Sequence, residues 1–305
     1  MNLPSCETLL LSLDGCLLSL TLNRPQRRNA MNSRMVEEII AVFNAIEDER
    51  AIRAVILRGS AGHFCAGGDI AGMNTTAKDG SALDPKRASW EFNRSFGRML
   101  SLVNHAPQVV IAVVEGAVMG GGFGLVCASD VAIAKHDARF ALPETGLGIA
   151  PAQIAPFVVT RIGLTQARRL ALLGEKIDGS SARELGLVHF LAEDEQALQT
   201  QLADVLGKVR RCAPGANAMT KQLLLKVGQM ELEALLDHAA DCFTESICGA
   251  EGQEGTRAFI DKRLPSWATS ADGHAQDATE DNLGGHLEDK PKDNSEDNAG
   301  KNAHE

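Results

Sequence analysis

Two glycine-rich stretches constrain this chain most: His63-Phe64-Cys65-Ala66-Gly67-Gly68-Asp69-Ile70 and Gly116-Ala117-Val118-Met119-Gly120-Gly121-Gly122-Phe123-Gly124. Each follows an apolar, β-branched run, Ala54-Val55-Ile56-Leu57 before the first and Val109 to Val114 before the second. A strand that ends in a glycine turn and re-enters a helix leaves backbone N–H groups free to face a ligand. Two such turns supply two donors for one oxygen, which is how a fold stabilises negative charge developing on a carbonyl. A single glycine cluster would equally suit a structural turn or a phosphate loop; the pairing favours the carbonyl.

Composition narrows the setting. At 305 residues the chain can bury a large core as one or two domains. Its net charge of −10 argues against nucleic acid as a partner. Residues 268–305 hold ten Asp/Glu against three Lys, so the body is close to neutral. That tail offers only Leu283 and Leu287 as larger aliphatic groups and is expected to be disordered, with no function assigned. Seven cysteines without paired spacing read as buried thiols in a reducing cytoplasm, and no Cys/His cluster reads as a metal site. The apolar start, Leu9 to Leu20, lacks a basic leader and is interrupted by Asp14-Gly15, so it reads as a two-stranded hairpin rather than a signal peptide. No segment has the length of a membrane span.

Along the chain, Met35, Ile39, Val42, Phe43 and Ile46 fall at helical spacing within Ser33–Arg50, and a strand follows over Arg53–Leu57. Strand, glycine loop and helix recur to residue 140, which predicts an α/β core of parallel strands. Residues 74–87 read as a mobile loop before a helix over Trp90–Val103. Beyond Glu144 the pattern turns helical: Leu164–Leu173, Ser181–Leu185, then long amphipathic stretches over Glu195–Arg211 and Ala216–Cys248. The expected organisation is a core over 1–200, a helical region over 201–267 and the tail.

Six motifs, in order, resemble the enoyl-CoA hydratase/isomerase (crotonase) superfamily. They are Asn23-Arg24-Pro25 with Asn29-Ala30-Met31, the two glycine loops, Phe140-Ala141-Leu142-Pro143-Glu144 with Gly146-Leu147-Gly148, Ala182 to Val188, and Ala258 to Arg263. The resemblance implies a crotonase-type spiral of β-β-α units with a helical C-terminal region, assembled as a homotrimer or a dimer of trimers. It implies an acyl-CoA thioester as substrate, with coenzyme A entering as part of it and no separate cofactor.

By the same resemblance the N–H groups of Ala66 and Gly121 hold the thioester oxygen, with Gly67, Gly68, Asp69 and Ile70 lining the site. Asp69 suits a cap or a loop brace better than proton transfer. Glu144, between an apolar strand-like segment and a glycine turn, is the expected acid/base, because apolar walls raise a carboxyl pKa toward the working range. Lys262 and Arg263 are candidates for the CoA phosphates, with Phe259 beside the adenine and Arg24 and Arg28 as further cations.

The departures are as informative. Typical hydratases carry a second glutamate where this chain has Gly124, and the segment Pro151 to Phe157 replaces a glycine-rich stretch. Gln153 there can bond a water or a polar acyl group, or simply pack. Pro151–Phe157 and Arg161–Leu170 look similar to hydratases of acyclic terpene breakdown, which act on isohexenylglutaconyl-CoA, a branched substrate with a second carboxylate; Gly124 is expected to leave room for the branch. Three readings follow: hydration of an enoyl-CoA, a Δ3-Δ2 isomerase with Glu144 as sole proton shuttle, and a non-catalytic acyl-CoA-binding relative.

Overall fold

The computed structural model describes residues 2–69 and 84–269. Ile70, most of the expected 74–87 loop and nearly all of the tail therefore lie outside the described residues. Met1–Ala271 form one compact unit, and the second unit, Asp272–Glu305, also lies outside them.

The N-terminal hairpin forms as expected, β1 (Leu9–Asp14) antiparallel to β2 (Leu17–Leu22) with Leu11 facing Leu20. Helix α1 (Ser33–Ile46) starts where the Asn32 side chain accepts the Met35 N–H at 3.0 Å. It buries Met35, Val36, Ile39, Val42, Phe43 and Ile46, one apolar stripe at spacings of three and four. Strand β3 (Ala54–Gly59) leads into the first glycine loop. Helix α2 (Pro85–His105) begins earlier than the expected Trp90, because Asp84 caps it and Pro85 occupies its first turn.

The second half repeats a shorter unit: β4 (Val109–Val114), β5 (Ala117–Met119), α3 (Gly121–Ala128), then β6 (Val131–Lys135), β7 (Arg139–Ala141) and a 3-10 turn at Glu144–Leu147. Helix α4 (Ala155–Leu173) follows, broken at Gly163, then β8 (Lys176–Asp178), α5 (Gly179–Glu184) and β9 (Phe190–Ala192). The larger sheet runs β1-β2-β3-β4-β6-β9, parallel from β2 onward, and a smaller sheet runs β5-β7-β8. From β4 onward the chain shuttles between the two sheets, adding β4, β6 and β9 to the larger and β5, β7 and β8 to the smaller.

The central strands β3, β4 and β6 are buried on both faces, which is why they read as unbroken apolar runs rather than alternating ones. Val55, Leu57, Val110, Ala112 and Val114 join the main core, while Ala54, Ile56, Ile111, Val113 and Ile133 meet Leu198, Leu202, Val205 and Val209 of α6 (Glu195–Arg211). Arg53 ties the C-terminal end of α6 to the start of β3, donating to Val209 O and Arg210 O at 2.9 Å and also to Cys212 O.

The long apolar pattern over Ala216–Cys248 is not one helix. It splits into α7 (Pro214–Leu225) and α8 (Leu232–Cys248), parted at Gly228 with φ +76°, a backbone no continuous helix contains. α9 (Ala250–Ile260) and α10 (Ser266–Thr269) follow. The thiols are also less uniform than expected: Cys65 and Cys127 are buried and pushed up to about 12 by that burial, but Cys212 and Cys248 are exposed. Among the described residues no helix is long and apolar enough to cross a membrane.

Candidate active site

The two glycine loops leave the C-terminal ends of neighbouring parallel strands, β3 and β4, and are stitched to each other by their backbones. Phe64 N–H donates to Glu115 O at 2.8 Å, Cys65 N–H to Ala117 O at 2.9 Å, and Met119 N–H to Cys65 O at 2.9 Å. His63 Nδ1 accepts the Ala117 N–H at 3.2 Å. Asn29, wholly buried, braces the base of the first loop by donating to Ser60 O at 2.9 Å and His63 O at 2.7 Å. Glu144 arrives through the small sheet. β7 pairs with β5, Ala141 O accepts the Gly120 N–H at 3.0 Å, and the carboxylate follows three residues later. Thr145 Oγ1 donates to Ala171 O at 2.9 Å and pins that turn to α4.

Gly120 is where the three segments meet. Its φ of +47° and ψ of −110° suit glycine alone. A methyl group built there would stand 2.5 Å from Glu144 Oε1 and 3.8 Å from Gly67 Cα. The sequence reading passed over this residue, although it opens the triple glycine.

Ala66, expected as one of the two donors, does not keep a free N–H. Ala66 N–H donates to Arg28 O at 2.9 Å and is already bonded within the fold. Gly67 N–H leans on Cys65 Sγ at 3.4 Å, and Asp69 N–H donates to Met31 O at 2.8 Å. Gly68 N–H is the one in this stretch with no acceptor among the described residues. Gly121, the first residue of α3, has no intrahelical acceptor and no other acceptor among the described residues. The free pair is therefore Gly68 and Gly121, with the N-terminal end of α3 adding its favourable field for negative charge.

Glu144 is half-buried, and its Oε2 is buried without a hydrogen-bond partner among the described residues. Burial pushes its carboxyl above the ordinary range near 4.5, opposed only by a bond to its own backbone. Asp69 is a brace: its Oδ2 accepts from Arg24 Nη2 at 2.8 Å, and Arg24 also donates to Ala30 O at 2.5 Å.

Gly124 does not open a pocket. A Cβ there would lie 2.5 Å from Ile154 Cγ2 and 3.4 Å from Leu100 Cδ1, so Ile154 already fills the space a side chain at 124 would take. The expected room for a branch is absent at that point. Gln153, next to Ile154, rests on Gly97 of α2.

Phe259 and Lys262 are not brought to Glu144. Both are exposed at the end of α9, and no hydrogen bond or ion pair among the described residues joins them to the glycine loops. Arg263 forms a pair with Glu254 at 2.8 and 2.9 Å. Trp267, a few residues on, accepts from Arg53 at 2.8 Å, at the opposite end of β3 from the glycine loop. Arg28 remains exposed beside the first loop.

A spiral of this kind, with two unbonded loop N–H groups beside one desolvated carboxyl, defines an enzyme of the crotonase superfamily. The profile of the enoyl-CoA hydratase/isomerase family matches residues 14–270, and the chain belongs to that family. It is similar to Pseudomonas aeruginosa AtuE, with 57% identity, TM-score 0.83, and coverage of 86% of this chain and 100% of that one. An enoyl-CoA hydratase/isomerase from Marinobacter aquaeolei matches at 54% identity, TM-score 0.83, over 86% and 100% of the two chains. The 2,3-dehydroadipyl-CoA hydratase of Escherichia coli is 30% identical over 260 residues, 85% of this chain and 98% of its own.

Proposed function

We propose that this enzyme adds water across the C2=C3 bond of an enoyl-CoA thioester, with the N–H groups of Gly68 and Gly121 on the thioester oxygen and Glu144 as the only carboxylate in the proton path. Glu144 takes a proton from water as the water oxygen bonds C3. The C2=C3 electrons move into the thioester as an enolate, whose oxygen the two N–H groups hold. Glu144 then returns that proton to C2, so a single carboxyl serves both ends of the addition. Each donor is worth on the order of 10²–10³ in rate, by analogy with other oxyanion holes.

The observation that carries this reading is the meeting of Glu144, Gly67 and Gly120 at one point, with Glu144 Oε2 unbonded. The family relatives named as hydratases support it. The substrate we favour is a branched glutaconyl thioester such as isohexenylglutaconyl-CoA. In the single chain the CoA contacts rest on Arg28, while Phe259 and Lys262 serve a neighbouring copy. Exposed apolar residues on α7–α9, Leu224, Leu236, Phe243 and Ile260 among them, support a trimeric assembly that would cover them.

The packing of Ile154 on Gly124 favours a second reading, Δ3-Δ2 isomerisation, because it leaves no second carboxylate and no space for one. Incubating the purified enzyme with crotonyl-CoA and 3-methylglutaconyl-CoA, and following loss of the enoyl absorbance, separates the two. Hydration that vanishes in Glu144→Gln supports the hydratase; no loss of absorbance with either thioester overturns it.

A further inference from the structure

Helix α2 packs on α3 through Phe96 and Leu100, and Arg94 and Gln153 come together beside α2 at Gly97. Gly97 is buried, and a Cβ placed on it would lie 1.9 Å from Gln153 Oε1, 2.8 Å from Gln153 Cδ and 3.0 Å from Arg94 Nη1. The absence of a side chain at 97 is what allows an amide and a guanidinium to lie over the same spot. Arg94, Gly97 and Leu100 form one stripe at helical spacing of three, and Leu100 and Phe96 pack on α3 at Gly124 and Gly121. Ile154 anchors the next segment on Gly124, and this fixes Gln153 beside it.

Arg94 stands apart from its neighbours in charge pairing. Glu91 takes both Arg87 and, at 4.0 Å, Arg98. Neither the Arg94 nor the Gln153 side chain has a hydrogen-bond or ion-pair partner among the described residues. Both are half-buried, so the guanidinium has lost part of its water without gaining a counter-charge among the described residues. A guanidinium fork matches the two oxygens of one carboxylate, and an amide N–H supplies a third donor. Through Phe96, which packs at Gly121, and Leu100 and Ile154, which pack at Gly124, the pair is tied to the elements that carry the second glycine loop.

We infer that Arg94 and Gln153 bind a carboxylate at the far end of the acyl chain, making the enzyme selective for enoyl-CoA thioesters of dicarboxylic acids. In a glutaconyl chain that carboxylate lies four bonds beyond the thioester carbon. Selectivity arises because a chain ending in a methyl group leaves a partly desolvated cation unpaired, whereas a carboxylate satisfies it. This inference rests on the thioester position given under Proposed function, and it assigns Arg94 a specificity role, without a part in proton transfer.

The test compares affinities for glutaryl-CoA and pentanoyl-CoA, two saturated thioesters of equal chain length that the enzyme cannot hydrate. Calorimetry is run on wild type, Arg94→Met, Arg94→Lys and Gln153→Ala, each checked for a folded state by thermal unfolding. Wild type is expected to favour glutaryl-CoA at least tenfold. That ratio falls to near one in Arg94→Met, recovers in part in Arg94→Lys, and drops severalfold in Gln153→Ala. A wild-type ratio near one, or a ratio unmoved by Arg94→Met, overturns the inference. Should Arg94→Met fail to fold, the Arg94→Lys and Gln153→Ala ratios decide in the same way. Crotonyl-CoA hydration by wild type is measured alongside. Its failure with the ratios intact would remove the hydratase reading and leave the carboxylate site standing; a flat ratio with hydration intact would do the reverse.

Discussion

Gly120→Ala isolates the point on which the site is built. The substitution introduces two costs that the structure separates. A residue with a Cβ at φ +47°, ψ −110° is strained by about 1–3 kcal/mol. At about 2–4 °C per kcal/mol for a chain of this size, melting falls by several degrees. The new methyl also stands 2.5 Å from Glu144 Oε1, so the carboxylate must retreat. Misplacing a catalytic group by about 1 Å costs about 10²-fold in rate. Gly228→Ala supplies the control, since Gly228 has φ +76° but nothing within 4 Å of its would-be Cβ. Both variants are expected to melt lower than wild type. Only Gly120→Ala is expected to lose about 10²-fold in kcat for crotonyl-CoA hydration, measured well below either melting point. A folded Gly120→Ala within threefold of wild-type kcat would refute the claim that Glu144 acts from this position.

Other expectations follow from the same geometry. Burial raises the Glu144 carboxyl pKa, so the base form develops later than for an ordinary glutamate, and the acid limb of kcat/KM should lie above pH 4.5; a limb at or below that value would contradict the desolvated site. The matching stability effect runs the other way: a raised carboxyl pKa gives stability that is complete below the unfolded value and lost as pH rises through the folded one. Thermal unfolding of Glu144→Gln should accordingly show it gaining on wild type between pH 4 and pH 8. Gly124→Ala should lower stability by about 1–3 kcal/mol through overpacking against Ile154, with Ile154→Ala in the same chain restoring part of it; additive losses in chemical denaturation would disprove that coupling. Arg53→Met strands the carbonyls at the end of α6 and should cost on the order of 3 kcal/mol, read from the shift of the urea midpoint.

How much of this was visible in the residues depends on how local each cause is. The hairpin, α1 and the glycine loops follow from neighbouring residues alone: alternation, apolar stripes and turn glycines. Helix α6 matched its expected ends, Glu195 and Arg211, because Asp194 caps it and its apolar face is uninterrupted. The break at Gly228 was hidden, since apolar spacing continues across it and only the backbone conformation shows the parting. The misassigned donor has a longer-range origin. Whether Ala66 or Gly68 keeps a free N–H depends on Arg28 O, a partner from a distant turn, and no local pattern encodes it. Gly124 failed for the same reason, because Ile154 from the segment before α4 decides whether a missing side chain means space. Arg94 carried no signal at all in the sequence; it reads as one more surface arginine until Gly97 and Gln153 are placed beside it.

In the proposed reaction one carboxylate, Glu144, drives hydration. The most direct measurement is mass spectrometry of the products from isohexenylglutaconyl-CoA, crotonyl-CoA and a 3-enoyl-CoA, with wild type and Glu144→Gln side by side. Products heavier by one water are expected from the 2-enoyl thioesters with wild type, and none with the variant. Products of unchanged mass, with the double bond of the 3-enoyl-CoA moved and no water gained from any thioester, would contradict that reaction and leave Glu144 as the shuttle of an isomerase.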